Sequence, residues 1–135
     1  MPPSAESVSA LARARVLEDS HPQVRLAAIL ALADQPASRE AGALVAPLIA
    51  REELNQERWL ADATTSAAAV QVAFVLPALG QLENQDLGER ALGIVARASE
   101  HWARGKPSAA EVENAVQGFA RMNPKTAEAV LAGLV

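Results

Sequence analysis

With 135 residues, 31 of them alanine and only four aromatic (Phe74, Phe119, Trp59 and Trp102), the chain suits one compact domain whose core is built from small side chains. Twelve lysines and arginines against sixteen acidic residues leave a net charge of −4, opposite to the basic footprint that nucleic-acid binding needs. The absence of cysteine excludes disulfides, thiolate metal sites and a cysteine nucleophile, and is compatible with a reducing or an oxidising compartment.

Alanine is the strongest helix former and lets helices approach closely, and no segment alternates as a strand, so the sequence predicts an all-α chain. Its longest uninterrupted apolar run, residues 26–33, has eight residues against the roughly 20 that a membrane-spanning helix needs. The first residues lack the basic and apolar regions of a signal peptide. The expectation is a soluble domain with no membrane insertion.

Capping signals recur at helix length and predict about eight helices. The first spans 5–17 behind Ser4 as N-cap, and the second 22–34, opened by Pro22 at the first helical position. A third spans 39–51 and carries Pro47, which should bend it. A fourth at 56–69 and a fifth at 70–82, with Pro77 inside, share a poorly marked boundary. The sixth, 86–104, buries Leu87, Ala91, Ile94, Ala98 and Trp102, and pairs Asp86 with Arg90 and Glu100 with Arg104 on its wet face. Gly105 should stop it. Ser108 and Glu111 form a capping-box pattern for a seventh helix to residue 122, and Asn123-Pro124 starts an eighth that runs off the end. Residues 24–33 are nearly all apolar around the helix and so should be covered on more than one side, as in an inner helix of a stack.

The stretch from Leu17 through Asp19, His21-Pro22, Val24-Arg25 to Leu32 resembles the turn and second helix of a HEAT repeat. That resemblance implies a short α-α superhelix, a solenoid of four hairpins forming one domain over 1–135. It also makes Asp19 and Arg25 a structural ladder between repeats. Later copies are weaker: Trp59-Leu60 occupies the Val-Arg slot 35 residues on, and Thr126-Ala127 occupies it after 102. The same 19–33 run, with Trp59-Leu-Ala-Asp-Ala63 and Ala98-Ser-Glu-His-Trp-Ala-Arg104, is similar to the HEAT segment of large bacterial membrane-bound-dehydrogenase-like proteins. There the helical segment lies between a propeller-type sugar dehydrogenase domain and a haem-binding cytochrome domain. This resemblance implies a linker or docking role, with redox chemistry elsewhere, in an extracytoplasmic location. The apolar finish at 130–135 fits excision from a larger protein.

No motif marks an active site. His21 and His101 lack metal-type spacing; His21 suits an N-cap and His101 the flank of an amphipathic helix. Ser99 and His101 are two apart on one helix and point in different directions, so neither combines with Asp86 into a triad. The scattered glycines form no phosphate loop, and Gly88, Gly93 and Gly118 are read as places of close helix approach. No catalytic, cofactor or metal residue is therefore assigned.

Glu57, Arg58, Trp59 and Asp62, with Glu52 and Glu53 just before them, form the densest cluster of charge and aromatic surface. They are the candidate partner contact. The plain alternative is a solvated helix start with Trp59 packed inward.

The expected function is thus a non-catalytic scaffold that docks a protein or a neighbouring domain of the same chain. Alternatives are a HEAT-fold enzyme of bilin lyase-like or base-excision-like type, or a pure spacer.

Overall fold

A computed structural model describes residues 3–82 and 86–135 and, among them, contains helices and no strand. The helices are α1 (Ala5–Ala14), α2 (Pro22–Ala33), α3 (Arg39–Ile49), α4 (Arg58–Val70), α5 (Val72–Leu79), α6 (Glu89–Arg104), α7 (Ala109–Phe119) and α8 (Pro124–Leu134). Short 3-10 turns, Val16–Glu18 and Glu52–Asn55, follow α1 and α3.

The expected N-caps form, and Ser38 adds one before α3 that was not expected. The side chains of Ser4, His21, Ser38, Ser108 and Asn123 all accept an N–H from the first turn that follows. The Ser108–Glu111 box closes in both directions, at 2.7 and 3.3 Å.

Helix ends depart from expectation. The first helix stops at Ala14, not Leu17, because Arg15 turns left-handed (φ 52°), and the following 3-10 turn carries Leu17 into the core at 6% exposure. The third stops at Ile49, two residues after Pro47, and the fourth starts at Arg58 after a turn that buries Leu54. The fourth and fifth helices join at Gln71 alone, with a bend of 104°. The sixth starts at Glu89, which leaves Asp86 outside it; Arg90 donates instead to the Leu54 carbonyl at 2.9 Å. Gly105 ends α6 in a right-handed conformation, and the positive φ falls on Lys106. Glu100 and Arg104 do pair.

From α2 onward each helix makes its principal contact with the helix two places along: α2 with α4, α4 with α6, α6 with α8, and likewise α3 with α5 and α5 with α7. Even- and odd-numbered helices thus form two rows, and the core lies between them around Leu32, Val45, Ile49, Leu76, Leu79 and Val95. Small residues set the spacing within a row. A methyl group on Gly42 of α3 would lie 2.7 Å from the Phe74 backbone carbon of α5, and one on Gly133 of α8 would lie 2.7 Å from Ser99 Cβ of α6.

Two buried glutamines tie the rows together. Gln35, after α2, accepts the Ser4 N–H at 2.9 Å and donates to the Ala31 carbonyl. Gln71, after α4, accepts the Ser38 N–H at 3.0 Å and donates to the carbonyls of Leu32, Gln35 and Pro36. Each amide closes the end of one helix pair onto its start, and Gln71 also joins that pair to the previous one.

Residues 24–33 are covered on more than one side, by α4 and by the Val16–Glu18 turn, but not all round. Ala28, Ile29 and Leu32 are buried, but Val24 and Leu30 are 38% and 46% exposed, because α2 is first in its row and has only α4 beside it there. Among the described residues no single helix is long and apolar enough to cross a membrane.

Candidate functional site

At the turn edge three arginines reach carbonyls of neighbouring turns. Arg51 donates to Leu17 at 2.7 Å and Arg90 to Leu54 at 2.9 Å. Arg25 donates to the carbonyls of Asp19 (2.7 Å) and Ser20 (3.2 Å), and its other Nη meets Glu53 at 3.0 Å. Glu53 therefore links Arg25 of the first helix pair to the second. The Asp19 carboxylate accepts the His21 N–H at 2.8 Å and so shapes the turn before α2.

The Arg25 side chain is 14% exposed and holds three partners, whereas that of Arg58 is 85% exposed and has one. Arg25→Ala is therefore expected to cost about 2 kcal/mol, and Arg58→Ala less than about 0.5. Urea denaturation of the two variants checks this; equal midpoints would remove the structural role of Arg25.

The candidate contact residues stand at the start of α4. Glu57 precedes the helix and gives it no side-chain cap. Arg58 and Asp62 pair at 3.6 Å on its open surface. Trp59 does not pack inward: it is 73% exposed, while Trp102 is buried at 7%. The slot shared with Val24 and Thr126 does not fix burial: Val24 is exposed at 38%. Thr126, the third residue in that slot, is buried at 2%.

Arg58, Ala61, Asp62 and Thr65 form one wall of a groove of about 500 Å³. Arg90, Gly93, Ile94 and Arg97 of α6 form the other. Arg90, Arg97 and Arg104 recur every seven residues and so share a stripe along α6, drifting by only about 20° per step. Glu100 neutralises the last of them, so the uncompensated charge is concentrated at the groove. Trp59 is not among the residues that line the groove; it lies about 100° around α4 from Arg58 and about 60° beyond Asp62.

The other residues weighed for chemistry lie apart. Ser99 is fully buried and donates to the Val95 carbonyl at 2.8 Å, while His101 is exposed and His21 accepts the Gln23 N–H as N-cap. Among the described residues no three His, Asp or Glu side chains converge as metal ligands would. Of the glycines read as close approaches, Gly118 is one, 3.1 Å from Pro77 Cα measured from an added Cβ. Gly88 is instead the N-cap of α6, and Gly93 has nothing within 4 Å of an added Cβ.

The chain matches no protein-family model, no curated protein and no solved structure.

Proposed function

We propose that this chain is a HEAT-type helical-repeat module that docks a protein segment, or a neighbouring domain of the same chain, on the exposed face of α4 and α6. Support for the repeat comes from the two rows of helices and from equivalent residues at repeat spacing. Ser4 and Ser38, both N-caps, are 34 apart, and the buried amides Gln35 and Gln71 are 36 apart. A place between the domains of a dehydrogenase-like protein is the more particular form of this reading, supported by the Trp59-Leu-x-Asp-Ala63 pattern.

The observation that carries docking is Trp59, which leaves most of a large apolar ring in water on the helix that also supplies one wall of the groove. Tryptophan is the side chain that contributes most when such a surface is covered. Nothing at the groove supplies a nucleophile beside a base, so the chemistry it favours is recognition.

Selection of a displayed random-peptide library on the immobilised chain tests this. Enriched peptides are expected, and Trp59→Ala should weaken them by roughly tenfold or more while leaving the melting temperature unchanged. A library that yields no enrichment, or peptides indifferent to Trp59, contradicts docking at this face.

A further inference from the structure

We propose that the groove between α4 and α6 takes an acidic peptide segment, whose carboxylates reach the guanidinium groups of Arg58, Arg90 and Arg97. This rests on the docking reading above and specifies its partner. The chain as a whole carries a net charge of −4, yet the groove walls hold three arginines and one aspartate. The groove is thus a local reversal of the overall charge, and attraction to carboxylates follows from it.

The three arginines differ in how they are held. Arg97 has neither a hydrogen-bond nor an ion-pair partner among the described residues. Arg90 is anchored through Nη1 to the Leu54 carbonyl, which fixes the side chain and leaves its remaining nitrogens to a ligand. Arg58 meets Asp62 only at 3.6 Å on open surface, a pair that a bidentate carboxylate replaces readily.

Gly93 supplies the second, independent observation. A glycine inside a helix weakens it, and Gly42, Gly118 and Gly133 repay that by letting a neighbouring helix approach. Gly93 has no such neighbour, and it lies in the groove wall between Arg90 and Arg97. The room it leaves lets a peptide backbone come close between the two guanidinium groups.

A peptide is favoured over a nucleic acid because the basic patch is short. Glu57, Glu89 and Glu100 stand exposed on or beside the same two helices, where a long run of phosphates would meet them. A cleft of about 500 Å³ holds a few side chains.

The test extends the library selection and adds fluorescence anisotropy with labelled hexaglutamate, hexalysine and single-stranded DNA as probes. Enriched peptides are expected to be acidic. Hexaglutamate should bind, with affinity falling as salt rises, and hexalysine should not. Arg97→Glu and Arg97→Ala should weaken hexaglutamate, the first by roughly tenfold or more, at unchanged melting temperature. Gly93→Ala should weaken it while raising the melting temperature. Enriched peptides that depend on Trp59 but are neutral or basic overturn the acidic assignment and leave docking standing. Absence of any enriched peptide removes docking itself, and tighter binding of the DNA than of hexaglutamate overturns the peptide class. Hexaglutamate binding that ignores both Arg97 substitutions overturns the site.

Discussion

Gly42→Ala is expected to destabilise the chain by about 3 kcal/mol, a fall in melting temperature of about 10 °C. The added methyl group would lie 2.7 Å from the Phe74 backbone carbon and closer still to Phe74 Cβ, and neither atom can swing aside as the tip of a long side chain could. Relief requires α3 and α5 to separate, and with them Val45, Ile49, Val75 and Leu76, all at 1% exposure or less. Thermal unfolding measures this directly. Gly93→Ala is the internal control, because the same substitution in open space should stabilise by about 0.5–1 kcal/mol through helix propensity alone. An unchanged melting temperature for Gly42→Ala would mean that the α3–α5 spacing is wrong.

Gln71→Met should cost about 2–3 kcal/mol although it keeps the side chain's length and bulk. Gln71 is fully buried, accepts the Ser38 N–H and donates to three carbonyls. Methionine returns none of these bonds, so a buried N–H and the carbonyls at the end of α2 lose their partner. Gln56→Met, at an exposed position, should change stability by less than about 0.5 kcal/mol. Urea denaturation separates the two. Similar midpoints would show that Gln71 fills space and does not organise the joints between helix pairs.

These two residues mark what could and could not be read in advance. Helix starts were legible because Ser4, Ser108 and Asn123 act within one turn of themselves, and local chemistry decides them. The buried spacing of α6 was legible for the same reason: one helical period places Ala91, Ile94, Ala98 and Trp102 on one side. The break at Gln71 carries no proline or glycine signal. It is made by an amide whose partners lie 33 to 39 residues back, so tertiary contacts decide it. Arg15 likewise turns left-handed without being glycine, because the next residues have to carry Leu17 inward.

The candidate site was legible by half. Glu57, Arg58, Trp59 and Asp62 stood out as neighbours in the chain, but the opposite wall comes from α6, roughly one repeat later. A signal for it existed in Arg90, Arg97 and Arg104 at intervals of seven, with Gly93 between the first two. Trp59 was ambiguous because a lone tryptophan usually packs inward. Its exposure follows from the packing of α4, which turns Leu60, Ala63, Thr64 and Ala67 into the core and leaves Trp59 outside, and that is visible only in the fold.

The most direct test of the docking face is amide hydrogen exchange of the full chain with and without saturating hexaglutamate. The account predicts slowed exchange over residues 58–65 and 90–97, the two walls of the groove, with α1 and α7 unchanged. Protection confined to the apolar surface of α2 or to α7, with the groove walls unaffected, would contradict it.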